Sequence, residues 1–279
     1  MIRLDGIHLH PVKSTAVRPV PHADVEAWGL RDDRRWMVVD AEGECVTARE
    51  ERPLLRVTAD TPATTPDLGP ALRLRAPGHE PLELEPPSGD PVAVTVHGRP
   101  LEAVAAPAPA QAWVRSVLDR ADVTLVHVHR PRQLNPAYSR RGDATAFADG
   151  YPVTLASAAS LRQLDTWAAD TALDRGGDPP ASLAVERFRP NLVVDGDLEP
   201  FEEDRWRRVT VGPVTFRVVK PVDRCVLTTV DPVTLERGPE PLRTLARHRK
   251  WEGATWFAVQ LVRDARGVVR LGDEVQPDR

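Results

Sequence analysis

The sequence predicts a mixed α+β protein in which β-structure predominates. Short apolar segments rich in Val, Ile and Thr recur along the chain, separated by turns that contain Pro or Gly. Few segments have apolar residues at helical spacing. Many short strands with such turns are typical of a β-barrel or sandwich. In the first half we predict strands at 2–10, 17–28, 34–40, 44–48, 54–59, 72–76, 81–85 and 92–97.

The second half mixes strands with helices. Trp113, Val114, Val117 and Leu118 follow helical spacing and predict a helix at 110–120. Ser157 is a suitable N-cap for a helix at 157–169, and a third helix is expected at 239–249. Strands are predicted at 123–129, 191–195, 207–219 and 225–230, and a closing hairpin at 256–262 and 268–271. The proline-rich segment 105–112 resembles a linker, and we place the domains at 1–110 and 111–279.

Composition excludes several classes of protein. The chain has 279 residues and a formal net charge of -4, whereas nucleic-acid binders usually have a basic surplus. Two cysteines argue against a disulfide scaffold and fit a reducing cytosol. We see neither a signal peptide nor a run of about 18 apolar residues, so we expect a cytoplasmic protein with no membrane partner.

Cys225 has the most informative surroundings. It follows Asp223 and Arg224 and precedes a β-branched run. A neighbouring cation favours the thiolate, which is the nucleophilic and metal-binding form of cysteine. A single cysteine cannot build a zinc site or an iron–sulfur cluster, which need several N or S ligands. Cys225 is therefore a nucleophile, a ligand to a metal that arrives already chelated, or a small buried apolar residue.

Several donors stand at the ends of predicted strands. Lys13 and Ser14 follow the first strand, Arg34 opens another, and Arg189 and Asn191 precede the apolar run 192–194. Loops at strand ends are common positions for ligand-binding residues. Arg offers a planar fork, Lys a point charge and Asn a paired donor and acceptor. Together they suit a ligand that carries a phosphate and a polar heterocycle.

Five segments in order resemble the MOSC family, which is named for the C-terminal domain of molybdenum cofactor sulfurase. They are 10–14 (HPVKS), 29–40 (GLRDDRRWMVVD), 46–49 (VTAR), 188–191 (FRPN) and 223–232 (DRCVLTTVDP). The resemblance is to two-part members, in which an N-terminal β-barrel precedes a β-barrel-cored MOSC domain with a few helices. It implies an active site at the junction of these two parts.

The resemblance also implies a molybdenum cofactor of the molybdopterin type, with Cys225 as the metal ligand. Similar proteins include amidoxime-reducing enzymes, so the expected reaction is N–O bond reduction of N-hydroxylated or N-oxide compounds. By the same resemblance the cofactor-binding residues are Lys13, Ser14, Arg34, Gly150, Tyr151, Arg189, Asn191, Asp223 and Arg224. Arg35 is a rival to Arg34, because adjacent strand residues point to opposite faces.

The sequence suggests where the electrons come from. No cysteine follows Cys225, so no iron–sulfur ligand set is available there, and no dinucleotide-binding glycine motif is evident. We therefore expect a separate ferredoxin, flavodoxin-type or cytochrome donor. Two alternatives stay open: a cofactor or sulfur carrier with a persulfide on Cys225, and a plain β-rich binding module. Trp251 and Trp256 are either core residues or part of a substrate pocket.

Overall fold

The computed structural model describes residues 1–69 and 71–279, and these divide into two units. The N-terminal unit consists of Leu9–Val20 and Glu26–Pro152. The C-terminal unit consists of Met1–His8, Pro21–Val25 and Val153–Arg279, so it includes the start of the chain. Each unit has its own core.

The strands up to the first helix, in chain order, are β1 (Ile2–Leu9), β2 (Arg18–Pro19), β3 (His22–Glu26), β4 (Gly29–Leu30), β5 (Trp36–Val39), β6 (Thr58–Asp60), β7 (Leu72–Ala76), β8 (His79–Leu84), β9 (Val92–Val96) and β10 (Arg99–Ala105). Those that follow it are β11 (Thr124–Val128), β12 (Arg132–Gln133), β13 (Ala144–Thr145), β14 (Val153–Ser157), β15 (Leu192–Gly196), β16 (Arg208–Val211), β17 (Val214–Asp223), β18 (Lys250–Trp251), β19 (Ala254–Arg263), β20 (Gly267–Arg270) and β21 (Glu274–Asp278). The α-helices are α1 (Ala108–Leu118), α2 (Ala158–Leu173) and α3 (Leu242–His248). Short 3-10 helices lie at Arg52–Arg56, Pro66–Leu68, Val185–Phe188, Glu202–Arg205 and Val226–Thr229. The protein is thus mainly β with three α-helices in the part that the structure describes, which confirms the predicted fold class.

A closed seven-stranded barrel forms the C-terminal unit. Its strands follow the order β14-β15-β1-β21-β16-β17-β19, and β19 pairs with β14 to close it. Only β14 and β15 are parallel, and a parallel pair needs a crossover connection, which α2 provides. Ser157 caps α2 as predicted, because its side chain accepts a 3.2 Å bond from the backbone of Ser160. Leu164, Phe188, Phe201 and Phe257 fill the core beneath the helix.

Antiparallel sheets form the N-terminal unit. One has the order β5-β11-β10-β9, and a second has the order β6-β7-β8. The inward residues of the first sheet, such as Met37, Val96 and Val126, pack around the fully buried Phe147. Cys45 belongs to the same core, and burial raises the pKa of its thiol.

Several predicted elements were wrong. Segments 256–262 and 268–271 do not pair with each other, because β19 pairs with β17 and β14 while β20 pairs with β3. Segment 225–230 is not a strand. Thr228 and Thr229 donate their hydroxyls to the carbonyls of Cys225 and Val226 and stabilise a 3-10 turn there.

Other predicted strands are shorter or divided. Arg52–Arg56 is a 3-10 helix with a proline in its first turn, so segment 54–59 yields only β6. Segment 17–28 divides into β2 and β3. Segment 207–219 divides at Gly212, whose φ of 51° makes the turn between β16 and β17. In segment 44–48, Cys45 forms an isolated bridge with Val39.

Candidate functional site

Cys225 is exposed in the C-terminal unit, so its interpretation as a small buried residue was wrong. It lies just after β17 and precedes the 3-10 helix Val226–Thr229. The preceding peptide is fixed on β19, because Arg224 N donates to Thr255 O at 2.8 Å and Thr255 Oγ1 donates to Arg224 O at 3.2 Å. The thiol is therefore accessible on a backbone that its neighbours hold in place.

The side chain of Arg224 turns inward. Its Nε donates to Phe257 O at 2.8 Å and its Nη1 donates to Phe188 O at 2.9 Å, while the guanidinium lies 5.5 Å from the centre of the Phe188 ring. Burial lowers its pKa to about 9, against the opposing effects of Cys225 and Asp223, so it stays charged at neutral pH. Its Nη2 is buried and has no hydrogen-bond partner among residues 1–69 and 71–279. The residue before Cys225 thus has one guanidinium donor for which the described residues offer no acceptor.

Arg189 and Asn191 follow the 3-10 helix Val185–Phe188. Arg189 has a left-handed backbone with φ of 51°. Asn191 is fully buried, and its amide joins two strands: Oδ1 accepts from Thr154 N and Nδ2 donates to His8 O, both at 3.1 Å. The Asn191 amide thus holds β1 and β14 beside β15. Asp223 is exposed at the end of β17.

Lys13 is buried in the N-terminal unit. Its Nζ donates to Phe147 O at 2.8 Å and pairs with the carboxylate of Asp149. Asp149 also lies 3.1 Å from His97 Nε2. Partial desolvation opposes ionisation of Asp149, but Lys13 and His97 hold its pKa well below the usual range. Ser14, the next residue, has a left-handed backbone with φ of 69°.

Arg34 and Arg35 have different partners. Arg34 pairs with the buried carboxylate of Asp33, whose Oδ1 also accepts from His10 N at 2.8 Å. Burial opposes ionisation of Asp33, but Arg34 and His10 keep its pKa below the usual range. Arg35 lies over the Trp28 ring at 4.6 Å. Arg34, like Ser14 and Arg189, has a positive φ, here 51°, and such backbone strain is concentrated at functional sites.

Sequence reasoning missed two arginines that hold segment 147–150. Arg132 Nη2 lies 2.7, 3.0 and 3.0 Å from the carbonyl oxygens of Ala148, Asp149 and Gly150, respectively. Arg99 Nη1 donates to Asp149 O at 2.7 Å. No motif marks these arginines, and they are brought to the segment only by the fold.

Together with Lys13, these arginines give the segment a surplus of positive charge over the single carboxylate of Asp149. Burial and the nearby Arg99 lower the pKa of Arg132 to about 10, so it too is charged at neutral pH. Tyr151 is buried next to Gly150, and burial raises its pKa.

The donor set suits an anionic ligand that brings its own metal. The described residues contain no group of three or more His, Cys, Asp or Glu side chains placed to hold a metal ion. A metal at Cys225 would therefore take its other ligands from a cofactor. Within the C-terminal unit, the unpaired Nη2 of Arg224 is a donor that suits an anionic group of such a cofactor.

Comparison with known proteins identifies the family. The MOSC N-terminal beta barrel domain matches residues 1–121 and the MOSC domain matches residues 143–276. The chain therefore belongs to the MOSC family. The predicted division at residue 110 remains a proposal.

Curated relatives match most of the chain. Mitochondrial amidoxime-reducing component 1 of Mus musculus is 31% identical over 96% of this chain and 79% of its own length. The Homo sapiens protein of the same name is 30% identical over 96% and 80%. Among solved structures, the YuaD protein of Bacillus subtilis aligns with 99% of this chain and 94% of its own, at 12% identity and a TM-score of 0.43. Across the described residues, no helix has the length and apolarity needed to cross a bilayer.

Proposed function

We propose that this chain is a molybdenum-cofactor-dependent reductase of N-hydroxylated compounds, with Cys225 as the protein ligand to the metal. One structural observation supports it above others: the exposed thiol of Cys225 adjoins a buried guanidinium with an unpaired donor. Relatives named as amidoxime-reducing components, at about 30% identity, support the substrate class. We also propose a cytoplasmic location.

The cofactor-binding residues inferred from the family resemblance remain part of the proposal. Each would contribute according to its chemistry: Lys13, Arg34 and Arg189 as cations, Ser14 as a hydroxyl donor, and Gly150, Tyr151, Asn191, Asp223 and Arg224 as neighbours of the pterin or its phosphate. The contacts of Asn191 and Arg224 favour positioning roles, because most of their donors bond to the backbone. When bound, the cofactor supplies the redox chemistry, and the protein supplies orientation and electrostatics.

The proposed reaction is a two-electron reduction. The N–O bond of an amidoxime, hydroxylamine or N-oxide breaks, two electrons and two protons enter, and the oxygen leaves as water. A separate protein, such as a ferredoxin, a flavodoxin-type protein or a cytochrome, supplies the electrons. Within the C-terminal unit, Arg224 would offset the charge of an anionic cofactor at Cys225, in a protein whose net charge is itself negative.

A carrier role is the second candidate, and the exposure of Cys225 favours it equally. In that role Cys225 would hold a persulfide and deliver sulfur or the cofactor without reducing a substrate. Benzamidoxime turnover with dithionite-reduced methyl viologen separates the two roles. The reductase produces benzamidine, and Cys225→Ser abolishes this activity. A labile sulfane sulfur on Cys225, without molybdenum or turnover, would instead establish the carrier.

A further inference from the structure

A basic, tryptophan-bearing hairpin projects from the C-terminal unit beside the Cys225 segment. It comprises residues 249–256, in which β18 pairs with the start of β19, and is called the Trp251 hairpin below. We propose that the Trp251 hairpin, with Arg247 at its base, is the docking surface for an acidic electron-donor protein. This inference rests on the proposed reductase function and assigns its partner a place and a chemistry.

A tight turn and side-chain contacts hold the hairpin together. Trp251 pairs with Ala254 and Lys250 with Thr255, and the turn between them is Glu252-Gly253. Both turn residues have positive φ, 52° and 78°, which is the geometry of tight hairpin turns. Trp256 Nε1 donates to Trp251 O at 3.0 Å, and the two indole rings stack 5.7 Å apart.

Arg249 also contacts Trp251. Its guanidinium lies 4.2 Å from the centre of the Phe201 ring and 4.7 Å from the centre of the Trp251 ring. It also pairs with Asp204 on the 3-10 helix Glu202–Arg205. Trp251 is nevertheless 39% exposed. An exposed tryptophan held in a single orientation costs little entropy on binding, and tryptophan is enriched among the residues that dominate interface energies.

The charge of this surface indicates the charge of the partner protein. Segment 242–251 (LRTLARHRKW) has four Arg or Lys residues and no acidic one, in a chain of net charge -4. Arg243 and Arg249 pair with Glu240 and Asp204, whereas Arg247 and Lys250 are exposed. Lys220 adds a cation 5.8 Å from the centre of the Trp256 ring. The exposed acidic residues here are Glu252 at the turn and Asp223, which pairs with Trp256. Complementary charge steers association, so the surface favours an acidic partner.

The hairpin is bonded to the segment that contains Cys225, the proposed metal ligand. Thr255, which pairs with Lys250, is also the residue whose carbonyl accepts from Arg224 N. The residue before Cys225 is therefore bonded directly to the hairpin. A donor bound there would deliver electrons next to the proposed metal ligand.

Binding and turnover test this surface separately. The probe is an acidic [2Fe–2S] ferredoxin, reduced for turnover by its NADPH-dependent reductase, with methyl viologen as a donor that needs no docking. The variants are Trp251→Ala and the double variant Arg247→Glu/Lys250→Glu. Arg266→Glu/Arg270→Glu, exposed positions at β20, makes the same charge change elsewhere in the unit. Ferredoxin affinity of the purified holoprotein is measured against salt concentration.

We expect both hairpin variants to weaken ferredoxin binding by about tenfold or more, and the charge reversal to flatten its salt dependence. Ferredoxin-driven turnover falls in parallel, while viologen-driven turnover and the β20 control stay at wild-type levels. Equal ferredoxin affinity in wild type and the hairpin variants, or no binding to wild type, would overturn the docking surface. Intact docking with no turnover from either donor would instead count against the reductase function alone.

Discussion

Lys13 and Phe147 are joined by a 2.8 Å hydrogen bond from Nζ to the carbonyl oxygen, across 134 positions of sequence. The lysine predicted to meet an anionic cofactor is thus already tied to the backbone of segment 147–150. Because the same ammonium pairs with Asp149, its position is set by two independent acceptors.

Removal of this ammonium should destabilise the N-terminal unit. Lys13→Met removes the donor to Phe147 O and the ammonium partner of Asp149, and we expect the free energy of unfolding to fall by about 1–3 kcal/mol. Asp149→Asn should cost less, because its side chain is 60% exposed. Urea unfolding of both single variants and the double variant measures the coupling. Additive effects would show that the pair contributes nothing to stability.

Arg224 should be a positioning residue for Cys225. Arg224→Leu leaves the carbonyls of Phe188 and Phe257 without their donor, so we expect a loss of about 2–4 kcal/mol. Arg224→Lys keeps the charge but has fewer donors, so it should recover only part of the lost stability. Alkylation of Cys225 by iodoacetamide reports the local geometry and should change in both variants. An unchanged alkylation rate in Arg224→Leu would refute the positioning role, and exposed Arg266→Leu serves as the control.

The left-handed backbone of Arg189 allows strain and side chain to be separated. Arg189→Gly and Arg189→Ala both remove the guanidinium, but only alanine opposes a φ of 51°. We expect Arg189→Gly to be more stable than Arg189→Ala by about 1 kcal/mol, with equal loss of cofactor retention. Thermal unfolding and pterin fluorescence check these two expectations. Equal stability of the two variants would mean that the backbone relaxes at this position.

Glu203 should make stability depend on pH. Its fully buried carboxylate accepts from Ser160 Oγ at 2.8 Å, and burial raises its pKa from the usual 4.5 to about 7. Between these values the folded state binds more protons than the unfolded state, so stability falls as pH rises, by up to about 3 kcal/mol. Unfolding of wild type and Glu203→Gln from pH 4 to 8 tests this. The glutamine variant should lack this part of the slope, and the exposed Asp197→Asn should retain it.

Features that depend on neighbouring residues, such as a helix cap, were predictable from the sequence. Ser157 was identified as a cap because a hydroxyl before an apolar periodic segment satisfies a free backbone donor, and α2 begins there. The β-rich class followed from short apolar segments between turns. By contrast, β20 was assigned to the wrong partner, because its pairing with β3 joins residues more than two hundred positions apart. Alternation along a strand does not specify which strand lies beside it.

In the candidate site, too, residues in local motifs were predictable, whereas residues that the fold brings together were not. Cys225 and Lys13 were predicted because each stands in a recognisable motif. Arg99 and Arg132 lack a motif and become relevant only where the fold brings them to Asp149. The inward course of Arg224 was also unpredictable, since the carbonyls that it binds belong to Phe188 and Phe257, both distant in sequence.

Molybdenum and pterin content of purified protein tests the central claim most directly. Wild type from a molybdenum-sufficient host should contain both at close to one per chain, and Cys225→Ser should lose the metal. Cys45→Ser, at the buried cysteine, should keep it. Wild-type protein that contains neither metal nor pterin, or Cys225→Ser protein that keeps the full complement of metal, would contradict the account.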